Sequence, residues 1–286
     1  MENIKIGDKI GLIAPSGNPK SKEDIEEITK IIKNRGFSPI FSTDLLTQEN
    51  TEKVRDIHKF FLDKEIKAIF TLRGGFSCNE VLDSIDYSII ENNKKIFIGF
   101  SDITNLLIAF NKKSNLRTIH GPIFSEKKYL DEPLLEVLFS FIEGKIDLND
   151  IFKKMNFKIL KNSEKINGEL IGGNLFVLNN LVCTEYEPEW KNKILFIESV
   201  GLSKEIVISM ITHLKQIRVF DKIRGLIVGD MGCSEDISEI ILNNLKDFEG
   251  FILKTEYIGH VNKNLPIMVG EIVEWDGNNL KSKRNN

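Results

Sequence analysis

The chain has 286 residues, 41% of them hydrophobic, and a formal net charge of −3. That length is enough to bury a core and to form two packed units, and the interspersed acidic and basic residues give no electrostatic footprint for nucleic acid or an anionic membrane surface. The three cysteines, Cys78, Cys183 and Cys233, are odd in number, far apart and without a CxxC pair, which argues against a zinc ribbon or a disulfide framework and fits a reducing compartment.

The N-terminus carries Asp8 and Lys9 where a signal peptide would need an apolar stretch. Residues 9–15 form a short apolar run that stops at Pro15, Ser16 and Gly17, the pattern of a buried strand. Residues 21–35 place Ile25, Ile28, Ile31 and Ile32 at helical spacing, with Ser21 as N-cap and Gly36 just past the end. Residues 38–42 read as a second strand and residues 52–63 as a second helix. Residues 68–72 give a third strand, ending at Arg73-Gly74-Gly75. Residues 95–100 give a fourth, followed at once by a helical pattern over 102–111. This alternation predicts a mainly parallel sheet with helices on both faces, and such sheets bind ligands at the carboxyl ends of their strands.

Character changes after Gly121-Pro122. Residues 125–165 are polar, with one helix and no strong strand signal, and read as a linker region. A second unit, residues 166–286, carries a Gly-rich turn at Gly172-Gly173-Asn174 and a strong strand over 193–197. A helix near 205–216, a strand over 225–229 and short strands around 267–275 follow. No run approaches the ~20 apolar residues that span a bilayer. The chain therefore reads as soluble and cytoplasmic.

At Gly99-Phe100-Ser101-Asp102 a buried strand runs straight into a helix with Ser101 at the junction. This is the logic of a nucleophile elbow, in which a sharp turn exposes the hydroxyl beside the unpaired N–H groups of a helix start. Ser101 would equally serve as a simple N-cap, and the GxSxG pattern is incomplete, since Ile103 stands where its second glycine belongs. Arg73-Gly74-Gly75 lets backbone approach a ligand closely or makes an ordinary tight turn; no Walker or complete GxGxxG pattern accompanies it. Of the four histidines, His58 and His213 lie in helical patterns among charged residues, and His120 precedes a Gly-Pro turn. His260 follows Gly259 after an apolar strand, a reasonable place for a general base. Glu198 directly follows a buried strand, where it either orients a histidine or is a surface carboxylate. No metal-ligand cluster stands out.

The joint order of these blocks resembles the serine peptidase family that contains the LD-carboxypeptidases of murein recycling and the microcin C self-immunity peptidase. The blocks are Ala14-Pro15-Ser16-Gly17, Arg73-Gly74-Gly75-Phe76, Ile85-Asp86-Tyr87, residues 95–104, His120-Gly121-Pro122, Gly172-Gly173-Asn174-Leu175, Cys183-Thr184, Leu195-Phe196-Ile197-Glu198 and Gly259-His260. Gly99-Phe100-Ser101-Asp102-Ile103-Thr104 is the most specific of them. The resemblance implies an α/β N-terminal domain (residues 1–124) carrying the nucleophile and a smaller β-rich C-terminal domain carrying the other two triad members. It implies Ser101 as nucleophile, Glu198 as triad carboxylate, His260 as base, and the N–H groups of Gly75 and Asp102 as oxyanion hole. Arg73 is the candidate partner for a substrate carboxylate. A small peptide substrate, a homodimer and no cofactor or metal complete the expectation.

The chain departs from the family pattern at Ser77, where a glycine is frequent, and at Ser199, where an acidic residue is common. Ser77-Cys78-Asn79 leans toward the immunity branch, whereas Gly172-Gly173-Asn174-Leu175 and Cys183-Thr184 fit the murein branch as well. Two enzymatic readings follow: release of terminal D-alanine from a murein tetrapeptide, or amide cleavage of a peptidyl or aminoacyl nucleotide. A two-domain protein that binds a small ligand without chemistry is the third.

Overall fold

The computed structural model describes residues 2–43, 45–46, 49–124 and 131–283. In chain order it has β1 (Lys9–Ile13), α1 (Lys22–Asn34), β2 (Ser38–Phe41), α2 (Asn50–Leu62), β3 (Ile66–Thr71), α3 (Tyr87–Asn92), β4 (Ile96–Gly99), α4 (Thr104–Ser114) and β5 (Thr118–His120). There follow α5 (Glu132–Ile142), α6 (Leu148–Lys154), β6 (Lys158–Lys161), β7 (Ile166–Asn174), α7 (Leu175–Leu181), β8 (Lys193–Glu198) and α8 (Lys204–Gln216). The chain ends with β9 (Gly225–Val228), α9 (Ser238–Asn244), β10 (Phe251–Lys254), β11 (Ile267–Val269), β12 (Glu271–Trp275) and β13 (Leu280–Ser282).

The first sheet has the order β11-β5-β4-β3-β1-β2. Strands β1 to β5 pair in parallel, as buried βα alternation demands. Their apolar runs are buried on both faces: Ile10, Leu12, Ile69, Phe70, Phe97 and Ile98 have no exposed surface. Helix α1 starts where the sequence places it, with Ser21 Oγ accepting the Asp24 N–H at 3.2 Å. Helix α4 is buried along most of its length because it packs against β7 and α7 of the second unit as well as its own sheet.

The second sheet has the order β13-β12-β7-β8-β9-β10-β6. Its centre, β7-β8-β9-β10, is parallel, and antiparallel β12 and β6 flank it. Gly172-Gly173-Asn174, read from sequence as a turn, is the end of β7. Where the sequence signals one helix between the units, the structure has α5 and α6, and β6 joins the second sheet; residues 125–130 lie outside the described residues.

The two units are interlocked. Strand β11, late in the chain, pairs antiparallel with β5 of the first sheet, Ile267 opposite His120. Arg117, just before β5, forms a 2.5 Å ion pair with the nearly buried Glu271 of β12, whose other oxygen accepts the Ser282 hydroxyl at 2.8 Å. One apolar core runs through both sheets. The carboxyl ends of β1, β3, β4 and β5 on one side, and of β7, β8 and β9 on the other, therefore face a common region.

Candidate active site

Ser101 lies two residues past the end of β4, after Phe100, and has φ +64°, the left-handed region that a residue with a Cβ enters only when its surroundings impose it. It does not cap α4: the residues 101–103 form a short 3₁₀ turn, and Ile103 precedes the first residue of the helix. The hydroxyl is instead aimed across to the second unit, where His260 Nε2 lies 3.0 Å from Ser101 Oγ. His260 Nδ1 lies 2.8 Å from Glu198 Oε2. Serine, imidazole and carboxylate thus form one continuous hydrogen-bonded chain, although the sequence separates Ser101 from His260 by 159 positions.

Each member is held by its own segment. Glu198 ends β8 with no exposed surface, and its Oε1 accepts the Asn174 amide at 3.1 Å; Asn174 and Glu198 are register partners in β7 and β8. His260 sits on a loop fixed by Asn264 Oδ1, which accepts the Gly259 N–H at 3.0 Å, and by the Asp230 N–H to Ile258 carbonyl bond at 2.8 Å. Gly259 has φ +122°, and a Cβ there would stand 3.0 Å from Glu198 Cβ, so glycine lets the loop lie against the acid. The Phe100 ring lies 4.6 Å from the His260 ring and forms an apolar wall beside it.

The segment after β3 closes the opposite side. A Cβ on Gly74 would stand 3.1 Å from Ser101 Oγ and 3.7 Å from the Asp102 nitrogen, so Arg73-Gly74-Gly75 passes directly in front of the hydroxyl. Its position is set by the Gly17 N–H to Gly74 carbonyl bond at 3.1 Å. Below it, the buried Asp102 carboxylate accepts the Ser16 hydroxyl at 2.5 Å and the Cys78 N–H at 2.9 Å. Lys53 Nζ donates to the Ser16 carbonyl at 2.7 Å. The loops after β1, β3 and β4 are thereby locked together around the start of α4. The Arg73 guanidinium, half-buried, donates to the Asn18 carbonyl at 3.1 Å.

Burial pushes the Glu198 carboxyl up, but the facing His120 and His260 rings outweigh it and bring it down to about 2. Asp230, half-buried nearby, is raised by burial and by the Glu198 charge. Such an arrangement can move a proton from Ser101 to His260 and hold the resulting imidazolium against a carboxylate. Among the described residues, no group of three or more His, Cys, Asp or Glu is arranged to hold a metal ion. No helix among them is long and apolar enough to cross a membrane.

The sequence singled out Ser101, Glu198 and His260, and the structure brings them together. Gly75 and Asp102 lie in the two segments that flank the hydroxyl. His58 is half-buried on α2, its Nε2 accepting the Asp86 N–H at 2.8 Å, and His213 is exposed on α8. Two contacts were missed: Asn174 on Glu198 Oε1, and His120, whose Nε2 lies 3.9 Å from the same oxygen. Both residues end strands that point at the site, which is the signal that could have found them.

Residues 10–121 match the family described as LD-carboxypeptidase N-terminal domain, and residues 167–274 match its C-terminal domain counterpart. The chain belongs to the LD-carboxypeptidase family, a family of peptidases. A probable murein peptide carboxypeptidase of Bacillus subtilis is 28% identical over 282 residues, covering 92% of this chain and 87% of its own. The microcin C7 self-immunity protein MccF of Escherichia coli is 28% identical over 262 residues, covering 79% of this chain and 76% of its own. The solved structure of MccF in complex with aspartyl sulfamoyl adenosine superimposes with a TM-score of 0.86 at 23% identity, covering 99% of this chain and 98% of that one. It shares the fold of this LD-carboxypeptidase family member.

Proposed function

We propose that this chain is a cytoplasmic serine carboxypeptidase with a Ser101–His260–Glu198 triad, which cleaves the L,D bond that holds the terminal D-alanine of a murein tetrapeptide. The observation that carries the proposal is the continuous chain from Ser101 Oγ through His260 to the buried Glu198, with Ser101 in a left-handed conformation at the end of β4. Ser101 Oγ attacks the scissile carbonyl carbon while His260 Nε2 takes its proton. Glu198 keeps the remaining imidazole proton on Nδ1 and stabilises the imidazolium. The oxyanion is received by the Gly75 and Asp102 N–H groups; one such donor is typically worth ~100- to 1,000-fold in rate. His260 then returns its proton to the leaving D-alanine amine as the C–N bond breaks. Water, deprotonated by His260, then attacks the acyl carbon; the bond to Ser101 Oγ breaks as His260 returns the proton to that oxygen, freeing the acid product and restoring the serine.

A second reading is amide cleavage of a peptidyl or aminoacyl nucleotide. It is favoured by the 28% identity to a microcin self-immunity protein. Mass spectrometry after incubation of the protein with a muropeptide tetrapeptide, in parallel with an aminoacyl sulfamoyl adenylate, separates the two. Release of D-alanine supports the carboxypeptidase. Cleavage of the nucleotide conjugate alone would move the function to the immunity branch, and turnover of neither would leave a ligand-binding protein.

Arg73 is proposed to pair with the terminal carboxylate of the peptide, using guanidinium N–H groups beyond the one on Asn18. Arg73→Ala is expected to raise KM for the tetrapeptide about tenfold with kcat little changed, the size of one charge-assisted hydrogen bond. An unchanged KM would remove Arg73 from substrate binding.

A further inference from the structure

His120 has no exposed surface, and neither ring nitrogen has a hydrogen-bond partner among the described residues. Buried polar atoms in that condition are uncommon and call for a cause. The ring stands edge-on to Phe100, with centroids 5.8 Å apart, and to Phe196, 5.3 Å apart. These two side chains fix its plane, and its Nε2 lies 3.9 Å from Glu198 Oε1.

His120 ends β5 and is paired with Gly99 of β4, two residues before Ser101. Glu198 ends β8 of the other sheet. The carboxylate therefore has His260 on Oε2, and Asn174 and His120 on the Oε1 side. Asp230, from the segment after β9, is a further acidic group nearby, and the two carboxylates repel each other. A carboxylate with no exposed surface needs donors on both oxygens to stay ionised.

We propose that His120 is a positioning residue for Glu198: its Nε2–H faces Oε1 and holds the carboxylate in register between the two sheets while His260 occupies Oε2. The proposal rests on the triad reading given above. His120 touches no reacting atom; it acts by fixing the carboxylate that orients His260. It also ties the acid to the strand beside the nucleophile, so that sheet-to-sheet alignment and triad alignment become one condition.

The test is nitrogen-detected NMR of the wild-type protein, which reports the tautomer of each histidine without substrate. His120 protonated on Nε2 is expected; a ring protonated only on Nδ1 would present a lone pair to Glu198 and overturn the proposal. Two variants extend the test. His120→Phe keeps a ring but removes the donor, and His120→Gln restores an N–H near the Nε2 position. In His120→Phe the downfield Nδ1 proton of His260 is expected to move further downfield, because Glu198 loses a competing donor, and kcat is expected to fall about tenfold at unchanged KM. His120→Gln is expected to restore both. Identical His260 resonances in all three proteins would overturn the proposal. The resonances need no turnover, so absence of D-alanine release would count against the proposed reaction alone.

Discussion

Ser101→Ala is expected to lower kcat for a murein tetrapeptide by about a million-fold, the loss typical of removing a triad nucleophile. The residual rate would come from oxyanion stabilisation and binding alone. The variant should fold normally, because alanine keeps the Cβ and loses only the 3.0 Å contact to His260. Release of D-alanine by both proteins, followed by mass spectrometry, would show that another group is the nucleophile. Ser101→Gly separates strain from chemistry. Position 101 has φ +64°, a region that costs a residue with a Cβ about 1–2 kcal/mol. Glycine enters it freely, so Ser101→Gly should be equally inactive yet unfold at a denaturant concentration no lower than the wild type. Strain kept at a position that glycine would relieve is what a site selected for exposure of its hydroxyl would retain.

Local chemistry made the first half of the fold readable. Apolar runs ending in Pro, Gly or Ser predicted β1, β3 and β4, and Ser21 with Ile25, Ile28 and Ile32 predicted α1, because these signals lie within one turn or one strand of each other. The same locality explains what sequence left open. Ser101 as N-cap and Ser101 with its hydroxyl turned to a histidine produce the same strand-to-helix junction, and only the backbone φ and a partner 159 positions away distinguish them. Gly172-Gly173-Asn174 has turn composition, yet it extends β7, since pairing with Phe196, Ile197 and Glu198 of β8 overrides local preference.

His120 shows the limit most clearly. As a sequence feature it is a histidine before Gly-Pro. Its proximity to Glu198 depends on β5 lying beside β4 in one sheet and on β8 ending opposite in another. Addition of β11 to the first sheet is equally non-local, since three residues, Ile267–Val269, carry no signal of which edge they will join. By contrast, it is the resemblance of the ordered Ser101, Glu198 and His260 blocks to the peptidase family that brings the three candidates forward. None of the three would have been selected on its own surroundings.

If the proposed triad operates, Glu198→Gln is expected to lower kcat about 10,000-fold while KM stays within a few-fold of wild type, as in serine-protease triads whose acid becomes an amide. The reason lies in the donors around it. Glu198 Oε2 receives His260 Nδ1 and Oε1 receives the Asn174 amide. A glutamine has one oxygen to offer. If that oxygen stays on Asn174, the NH₂ group faces His260 Nδ1 and forces the imidazole proton onto Nε2, where it confronts the Ser101 hydroxyl and cannot accept its proton. If the oxygen turns to His260, two amide NH₂ groups meet in a buried site, and the mismatch appears as lost stability instead. The carboxylate also sets a pH dependence. Its pKa is depressed in the folded protein from the ordinary 4.5 to about 2, so its contribution to stability is fully present above ~4.5 and is lost as pH falls through that window. Denaturant unfolding between pH 5 and pH 2 should therefore show the wild type losing stability relative to Glu198→Gln, whose amide does not titrate. A decline of equal size in both proteins would mean that Glu198 is not held ionised by its neighbours. A drop in kcat of less than about tenfold would remove it from the proposed triad.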